Sequence, residues 1–141
     1  VKHRIQYIRT VNGADYYNDS KATNADATMK AIDSMNKPTT LILGGKDKGL
    51  DFDALFRKIS ESLVKAVVLT GESAPRLYDS AKKIGYKNVY LANDFFVAVK
   101  VASIVAENGE AVLLSPACSS FDCFTDYEER GDRFIEIVEK L

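Results

Sequence analysis

Four short apolar segments, each followed by residues with helical periodicity, constrain the fold of this chain more than any other feature of its sequence. They are three to five residues long and rich in valine and leucine: residues 39–43, 66–70, 89–91 and 111–114. Continuous apolar runs of this length are typical of strands buried on both faces, and their alternation with helices indicates βαβ units. The sequence therefore predicts an α/β fold, a Rossmann-like three-layer domain with a mostly parallel sheet.

The first residues predict a different element, an N-terminal antiparallel hairpin. Aromatic and β-branched residues flank the dipeptide Asn12-Gly13, which favours a tight hairpin turn. Beyond it, apolar residues recur at helical spacing, and capping residues, glycines and prolines delimit the segments. No repeat or linker divides the chain, so residues 1–141 are expected to form one domain. We predict helices at 25–35, 51–63, 73–84, 94–107 and 132–141.

The composition argues against several classes of protein. Hydrophobic residues make up 46% and charged residues 28% of the chain, as in globular proteins that fold in water. The 19 basic and 20 acidic residues are mixed along the sequence, so no nucleic-acid partner is expected. The most apolar segment, 95–106, contains Lys100 and is too short to span a membrane.

The cysteines indicate a cellular compartment, and the first residue bears on whether the chain is part of a longer protein. Cys118 and Cys123 are five residues apart, a spacing that fits neither a redox pair nor a zinc site. Free thiols indicate a reducing compartment, and we expect the cytoplasm. The chain opens with Val1 rather than methionine, so it is expected to be a piece of a longer protein.

Polar loops follow several of the predicted strands, at the sheet edge where ligands of α/β proteins bind. Residues 18–24 lead into the first helix, with Thr23 or Asn24 as its N-cap. Free N–H groups at a helix start favour an anion, and Lys21 would add a full positive charge. The alternative is a plain polar loop before a capped helix.

Two further loops have compositions suited to binding. Residues 44–49, Gly-Gly-Lys-Asp-Lys-Gly, lie between a strand and a helix but match neither a P-loop nor a dinucleotide fingerprint. Their lysines either bind an anion or simply keep a surface turn in contact with water. In the loop 115–131, Phe121, Phe124 and Tyr127 recur at three-residue spacing, which predicts helical turns packed against the body of the domain. His3 is the only histidine, so no Ser-His-Asp arrangement is predicted.

Taken together, these loops resemble the C-terminal domain of the Mur ligases, and among them the members that add D-glutamate. The resemblance includes His3-Arg4 and covers nearly the whole chain. It implies a cytoplasmic step of peptidoglycan synthesis in which ATP and Mg²⁺ activate the carboxylate of UDP-N-acetylmuramoyl-L-alanine as an acyl phosphate. The amine of D-glutamate would then attack it. The matching segments are 18–24 (NDSKATN), 44–49 (GGKDKG) with Asp51-Phe52, 114–122 (LSPACSSFD) and 129–134 (ERGDRF).

The resemblance also implies roles for individual residues. Lys48 would be the main cation for the two carboxylates of D-glutamate, and the nucleotide would lie on the other side of the 18–24 loop. The full set for D-glutamate is Thr23, Lys48, Ser120, Phe121 and Tyr127, and the set for the nucleotide is Arg4, Asp19 and Lys21.

The parts that the resemblance places elsewhere are equally informative. The phosphate-binding loop, the Mg²⁺ ligands and the UDP-sugar site would belong to the N-terminal and central domains of the same polypeptide, with no metal ligand in this domain. The isolated piece is therefore expected to be inactive. Two alternatives stay open: another amino-acid ligase of the superfamily, such as a folylpolyglutamate-type enzyme, or a non-catalytic module that binds small anions. The Asp-Asn-Pro-Arg motif of the diaminopimelate-adding relatives is absent, which favours D-glutamate.

Overall fold

A six-stranded sheet forms the centre of the molecule, with the strand order β1-β2-β6-β3-β4-β5. The computed structural model describes all residues from 1 to 141. The first two strands pair antiparallel and the other pairs are parallel, which confirms the predicted mostly parallel sheet with an N-terminal hairpin. The strands are β1 Gln6–Val11, β2 Ala14–Asn18, β3 Thr39–Leu43, β4 Val64–Leu69, β5 Val89–Leu91 and β6 Ala111–Leu114.

Five helices cover the two faces of this sheet. None of them is long and apolar enough to cross a lipid bilayer. Asn24 and Asp94 cap two of them through their side chains, and Gly85 ends a third in the left-handed conformation. The helices are α1 Ala25–Asp33, α2 Asp53–Ser60, α3 Ala74–Ile84, α4 Phe95–Val105 and α5 Tyr127–Glu139.

The core is divided into two halves by the sheet, because successive side chains of a strand point to opposite faces. In β3, Leu41 and Leu43 pack with α1, α2 and α3, whereas Ile42 packs with α4 and α5. In β4, Val67 packs on the same face as Leu41 and Leu43, and Val68 packs on the same face as Ile42. These two halves establish the three-layer α/β architecture that the apolar segments predict.

The predicted boundaries need correction at four helices and are least accurate at the last one. Helix α5 begins at Tyr127 rather than Asp132, because the Asp126 carboxylate caps it by accepting from the N–H of Glu129 at 2.8 Å. The connection after β6 is correspondingly shorter than the sequence suggests. Helix α2 ends at Ser60, and Leu63, the last residue predicted for this helix, is 48% exposed just before β4. Helices α1 and α4 each end two residues early.

Candidate functional site

Three loops meet at the carboxyl edge of the sheet, because the strands that precede them are neighbours in the order β2-β6-β3. This is the edge at which parallel sheets usually bind ligands. We name them the β2 loop (residues 19–24), the β3 loop (residues 44–52) and the β6 loop (residues 115–126).

Backbone hydrogen bonds join the three loops to one another. The N–H of Ala117 donates to the carbonyl of Ala22 at 3.1 Å, which connects the β6 loop to the β2 loop. The N–H of Lys46 donates to the carbonyl of Ser119 at 2.9 Å, which connects the β3 loop to the β6 loop. Gly45 permits this approach, since a Cβ at that position would lie 2.2 Å from the Ser119 carbonyl oxygen. The three loops therefore form one continuous wall.

A pocket of about 140 Å³ opens between the three loops. It contains two of the residues predicted to bind D-glutamate, Thr23 beside the start of α1 and Lys48 in the β3 loop. Lys48 is exposed and forms no ion pair, whereas Lys46 lies 3.5 Å from the Glu72 carboxylate. We call this cavity the lysine pocket; its lining is Thr23, Asn24, Ala25, Lys46, Lys48, Leu50, Asp51, Phe52, Ala117, Cys118 and Ser119.

The other three residues predicted for D-glutamate do not line the lysine pocket. Ser120, within the β6 loop, is buried, and its hydroxyl has no hydrogen-bond partner. Phe121 is 66% exposed, so the prediction that it packs against the body of the domain is wrong. Phe124 does pack, edge-on against Phe95 with ring centroids 5.3 Å apart. Tyr127 lies at the first position of α5, where its ring meets His3 edge-on at 6.1 Å.

A larger pocket of about 450 Å³ lies on the opposite side of the β2 loop. It brings together all three residues predicted for the nucleotide, Arg4, Asp19 and Lys21. Lys30 on α1 also faces it, a cation that the sequence reasoning did not select. We call this cavity the α1 pocket. Its cations and the N-terminus of a nine-residue helix make it suited to an anion.

Asp19 is held firmly at the base of the α1 pocket. It is 4% exposed, and its carboxylate accepts from the Ser115 hydroxyl at 2.7 Å and from the N–H of Ile5 at 3.1 Å. Burial raises the pKa of Asp19, although these two hydrogen bonds and Arg4 act in the other direction. Asp19 thus connects the β2 loop to both the N-terminal segment and the end of β6.

Asn24 lines both pockets, and it also caps α1 by accepting from the N–H of Ala27 at 2.9 Å. The β2 loop is therefore a partition with Thr23 on one side and Lys21 on the other. The amino-acid and nucleotide roles predicted for the two sides of this loop stay predictions.

Arg130 is the main structural residue of the site that the sequence reasoning missed. It is 2% exposed, and its guanidinium donates from Nε to the Ser20 hydroxyl at 2.9 Å and from Nη2 to the Ser20 carbonyl at 2.7 Å. A third bond runs from Nη1 to the carbonyl of Cys118 at 2.9 Å. Burial lowers the pKa of Arg130 to about 10. The position could have been found, because Arg130 shares a helical face with Phe134 and Ile137.

His3 is a buried anchor for the N-terminal segment rather than an exposed base. It is 3% exposed, and its Nδ1 lies 2.8 Å from Asn18 Nδ2, the donor of this hydrogen bond. Its Nε2 lies 3.5 Å from the carboxylate of Asp132, at the surface of α5. Gly131 makes room for the ring, since a Cβ there would approach Nδ1 to 2.1 Å. Burial lowers the pKa of His3, against the opposing effect of Asp132.

The side chains do not offer a site for a metal ion, since no three His, Cys, Asp or Glu side chains converge. Both cysteines are free thiols, as predicted, with Cys118 buried and Cys123 exposed.

Comparison with known families and proteins identifies relatives for nearly the whole chain. The profile of the family described as "Mur ligase, glutamate ligase domain" matches residues 3–118. A UDP-N-acetylmuramoylalanine--D-glutamate ligase from Lachnospira eligens is 48% identical over all 141 residues, and one from Bacillus subtilis is 46% identical. The chain spans 31% of the length of each of these relatives.

Solved structures agree on the fold. UDP-N-acetylmuramate-alanine ligase from Thermotoga maritima superposes with a TM-score of 0.68 at 18% sequence identity. The match covers 99% of the present chain and 30% of that protein. At this identity the likeness establishes the fold, the α/β domain described above.

Proposed function

This chain belongs to the Mur ligase family, as its glutamate ligase domain, and from that premise we propose that it is the amino-acid-binding domain of a D-glutamate-adding ligase. The whole enzyme would join D-glutamate to UDP-N-acetylmuramoyl-L-alanine in the cytoplasm, as a step of peptidoglycan synthesis. The D-glutamate ligases of L. eligens and B. subtilis, at 48% and 46% identity, support this choice over a folylpolyglutamate-type enzyme or a simple anion-binding module.

The observation that carries the proposal is the pair of pockets separated by the β2 loop. A ligase of this kind must hold an amino acid and a nucleotide close together, and Asn24 faces both cavities. Holding two reactants in one geometry removes much of the entropic barrier to their reaction. The partition would thus align two substrates without itself performing the chemistry.

The lysine pocket is proposed to bind D-glutamate. Its Lys48 has no carboxylate partner in the protein, so the ammonium group is free to pair with a substrate carboxylate. Thr23 lies next to the free N–H groups at the start of α1, where an anion is favoured. Ser120, Phe121 and Tyr127 would complete the site only if the β6 loop and the first turn of α5 moved toward the pocket when the substrate binds.

The α1 pocket is proposed to face ATP, which supplies the phosphoryl group that activates the carboxylate to be joined. Arg4 and Lys21 would contact its phosphates, and Asp19 would keep the β2 loop in place beneath them. Because Asp19 already accepts two hydrogen bonds, its first role is to position the loop. Further domains of the same polypeptide would provide the Mg²⁺ ligands and the UDP-sugar site, so the 141-residue chain alone should be inactive.

Chemical shifts measured during ligand titration test the proposed substrate. Isotope-labelled chain would be titrated separately with D-glutamate, L-glutamate and diaminopimelate, with Thr23, Lys48 and Ser119 as reporters. We expect saturable shifts for D-glutamate that are larger than those for the other two. Equal responses to all three would favour a module that binds any small anion, and a response to L-glutamate alone would favour a folylpolyglutamate-type enzyme.

A further inference from the structure

The lysine pocket contains a hydroxyl group that has no hydrogen-bond partner within the protein. Ser119 is 5% exposed, it lines the pocket, and its Oγ is buried without a partner. Buried hydroxyls of folded proteins are nearly always hydrogen-bonded, either to the protein or to a bound molecule. A ligand in the pocket can pair with this hydroxyl when the Ser119 side chain rotates so that its Oγ faces the cavity.

Three other buried hydroxyls also lack a hydrogen-bond partner, those of Thr40, Thr70 and Ser120. Ser119 differs from them in its location. Thr40 lies within β3, away from the loops. Thr70 faces a separate cavity of about 70 Å³ beside β4. Neither these two nor Ser120 lines the lysine pocket. Ser119 alone combines an unpaired hydroxyl with the cavity that contains the lysines.

The backbone fixes Ser119 relative to those lysines. Its carbonyl accepts from the N–H of Lys46 at 2.9 Å, so the serine and the β3 loop keep their relative positions. Asp51 is the acidic side chain of the lining, and its Oδ1 already accepts from the N–H of Asp53 at 3.1 Å. A carboxylate in the pocket would meet a cation and a free hydroxyl donor together.

We propose that Ser119 is a further substrate-binding residue, whose hydroxyl donates a hydrogen bond to one carboxylate of the bound amino acid. The inference rests on the proposed function, in which that amino acid is D-glutamate. It adds a contact to those expected of Thr23 and Lys48. It also accounts for the hydroxyl that the free protein leaves unpaired.

Steady-state kinetics of the full-length ligase that contains this chain test the proposal. A hydrogen bond to a charged group corresponds to about a tenfold or greater change in affinity, so Ser119→Ala should raise the KM for D-glutamate about tenfold. The kcat and the KM for ATP should change little. Because the hydroxyl is unpaired in the free protein, the thermal midpoint of Ser119→Ala should be unchanged or higher.

Thr40→Val provides the matched control, since it removes another buried, unpaired hydroxyl but lies away from the pocket. It should leave the KM for D-glutamate unchanged. An unchanged KM in Ser119→Ala, or a raised KM accompanied by a clear loss of thermal stability, would overturn the role of Ser119. A wild-type enzyme that does not ligate D-glutamate would overturn the proposed function, and this inference with it.

Discussion

Arg130 donates two hydrogen bonds to Ser20, one from Nε to the hydroxyl and one from Nη2 to the carbonyl oxygen, although 110 residues separate them in the chain. The Ser20 hydroxyl in turn donates to the carbonyl of Tyr127 at 2.7 Å. Arg130 lies in α5, and its third hydrogen bond goes to the carbonyl of Cys118 in the β6 loop. One side chain therefore fixes both the β2 loop and the β6 loop to this helix. The wall of both pockets therefore depends on one buried cation.

Replacing this cation should destabilise the domain. In Arg130→Met the carbonyls of Ser20 and Cys118 lose their donors, and buried acceptors left unpaired cost about 1–3 kcal/mol each. We expect the free energy of unfolding to fall by about 2–4 kcal/mol in urea titrations. The control is Arg133→Met, because Arg133 is half exposed and pairs only with Glu136 on the same helix. That variant should stay within about 0.5 kcal/mol of the wild type. Equal stability of the two variants would contradict the structural role of Arg130.

The contact between Gly131 and His3 predicts a reversal of the usual effect of alanine in a helix. Glycine inside a helix normally costs about 1 kcal/mol relative to alanine, so Gly131→Ala would be stabilising on propensity alone. A Cβ at this position would instead lie 2.1 Å from the imidazole Nδ1. Overpacking of this kind costs about 1–3 kcal/mol, so we expect net destabilisation in thermal or urea unfolding.

A double-mutant cycle isolates that contact. In a His3→Ala background the imidazole atoms that the added Cβ would meet are absent, and Gly131→Ala should be neutral or stabilising. The same destabilisation in both backgrounds would show that the imidazole is not the group that requires a glycine.

Much of the fold is predictable from local patterns, whereas the site depends on distant contacts. Short apolar runs give β3, β5 and β6 their observed limits, and in β3 and β6 glycine and proline bound a strand that is buried on both faces. The first turn of α5 escapes prediction because Tyr127 and the polar residues after it lack apolar periodicity. Arg130 lies on the apolar face of α5, so its burial could be inferred from the sequence, but the acceptors that hold its guanidinium lie on loops far away in the chain. The lysine pocket likewise depends on three loops that the strand order brings together.

The proposed role of Lys48 predicts a selective loss of affinity for the amino acid. In the full-length ligase, Lys48→Ala should raise the KM for D-glutamate by roughly ten- to a hundredfold, the value of one charged hydrogen bond. Lys87→Ala is the matched control, because Lys87 is exposed and precedes β5, at the opposite edge of the sheet. Its KM should equal that of the wild type. An unchanged KM in Lys48→Ala would remove Lys48 from the amino-acid site.

His3 predicts how stability depends on pH, and it is the only histidine, so the effect can be assigned to one residue. Burial lowers its pKa in the folded state below the ordinary 6.5, while Asp132, Glu128 and Asp126 oppose this and Lys2 reinforces it. Below pH 6.5 the unfolded chain therefore binds a proton more readily than the folded one, and the free energy of unfolding should fall as the pH is lowered through that value. Burial raises the pKa of Asp19, which has the opposite effect on stability. As the pH rises above 3.8, ionisation of Asp19 lowers the free energy of unfolding. Urea titrations at pH 7.5 and pH 5.5 measure the difference, and in a His3→Gln variant the decrease between them should disappear. A decrease of the same size in that variant would assign the pH dependence instead to carboxylates whose pKa the fold lowers, such as Asp15 and Asp47.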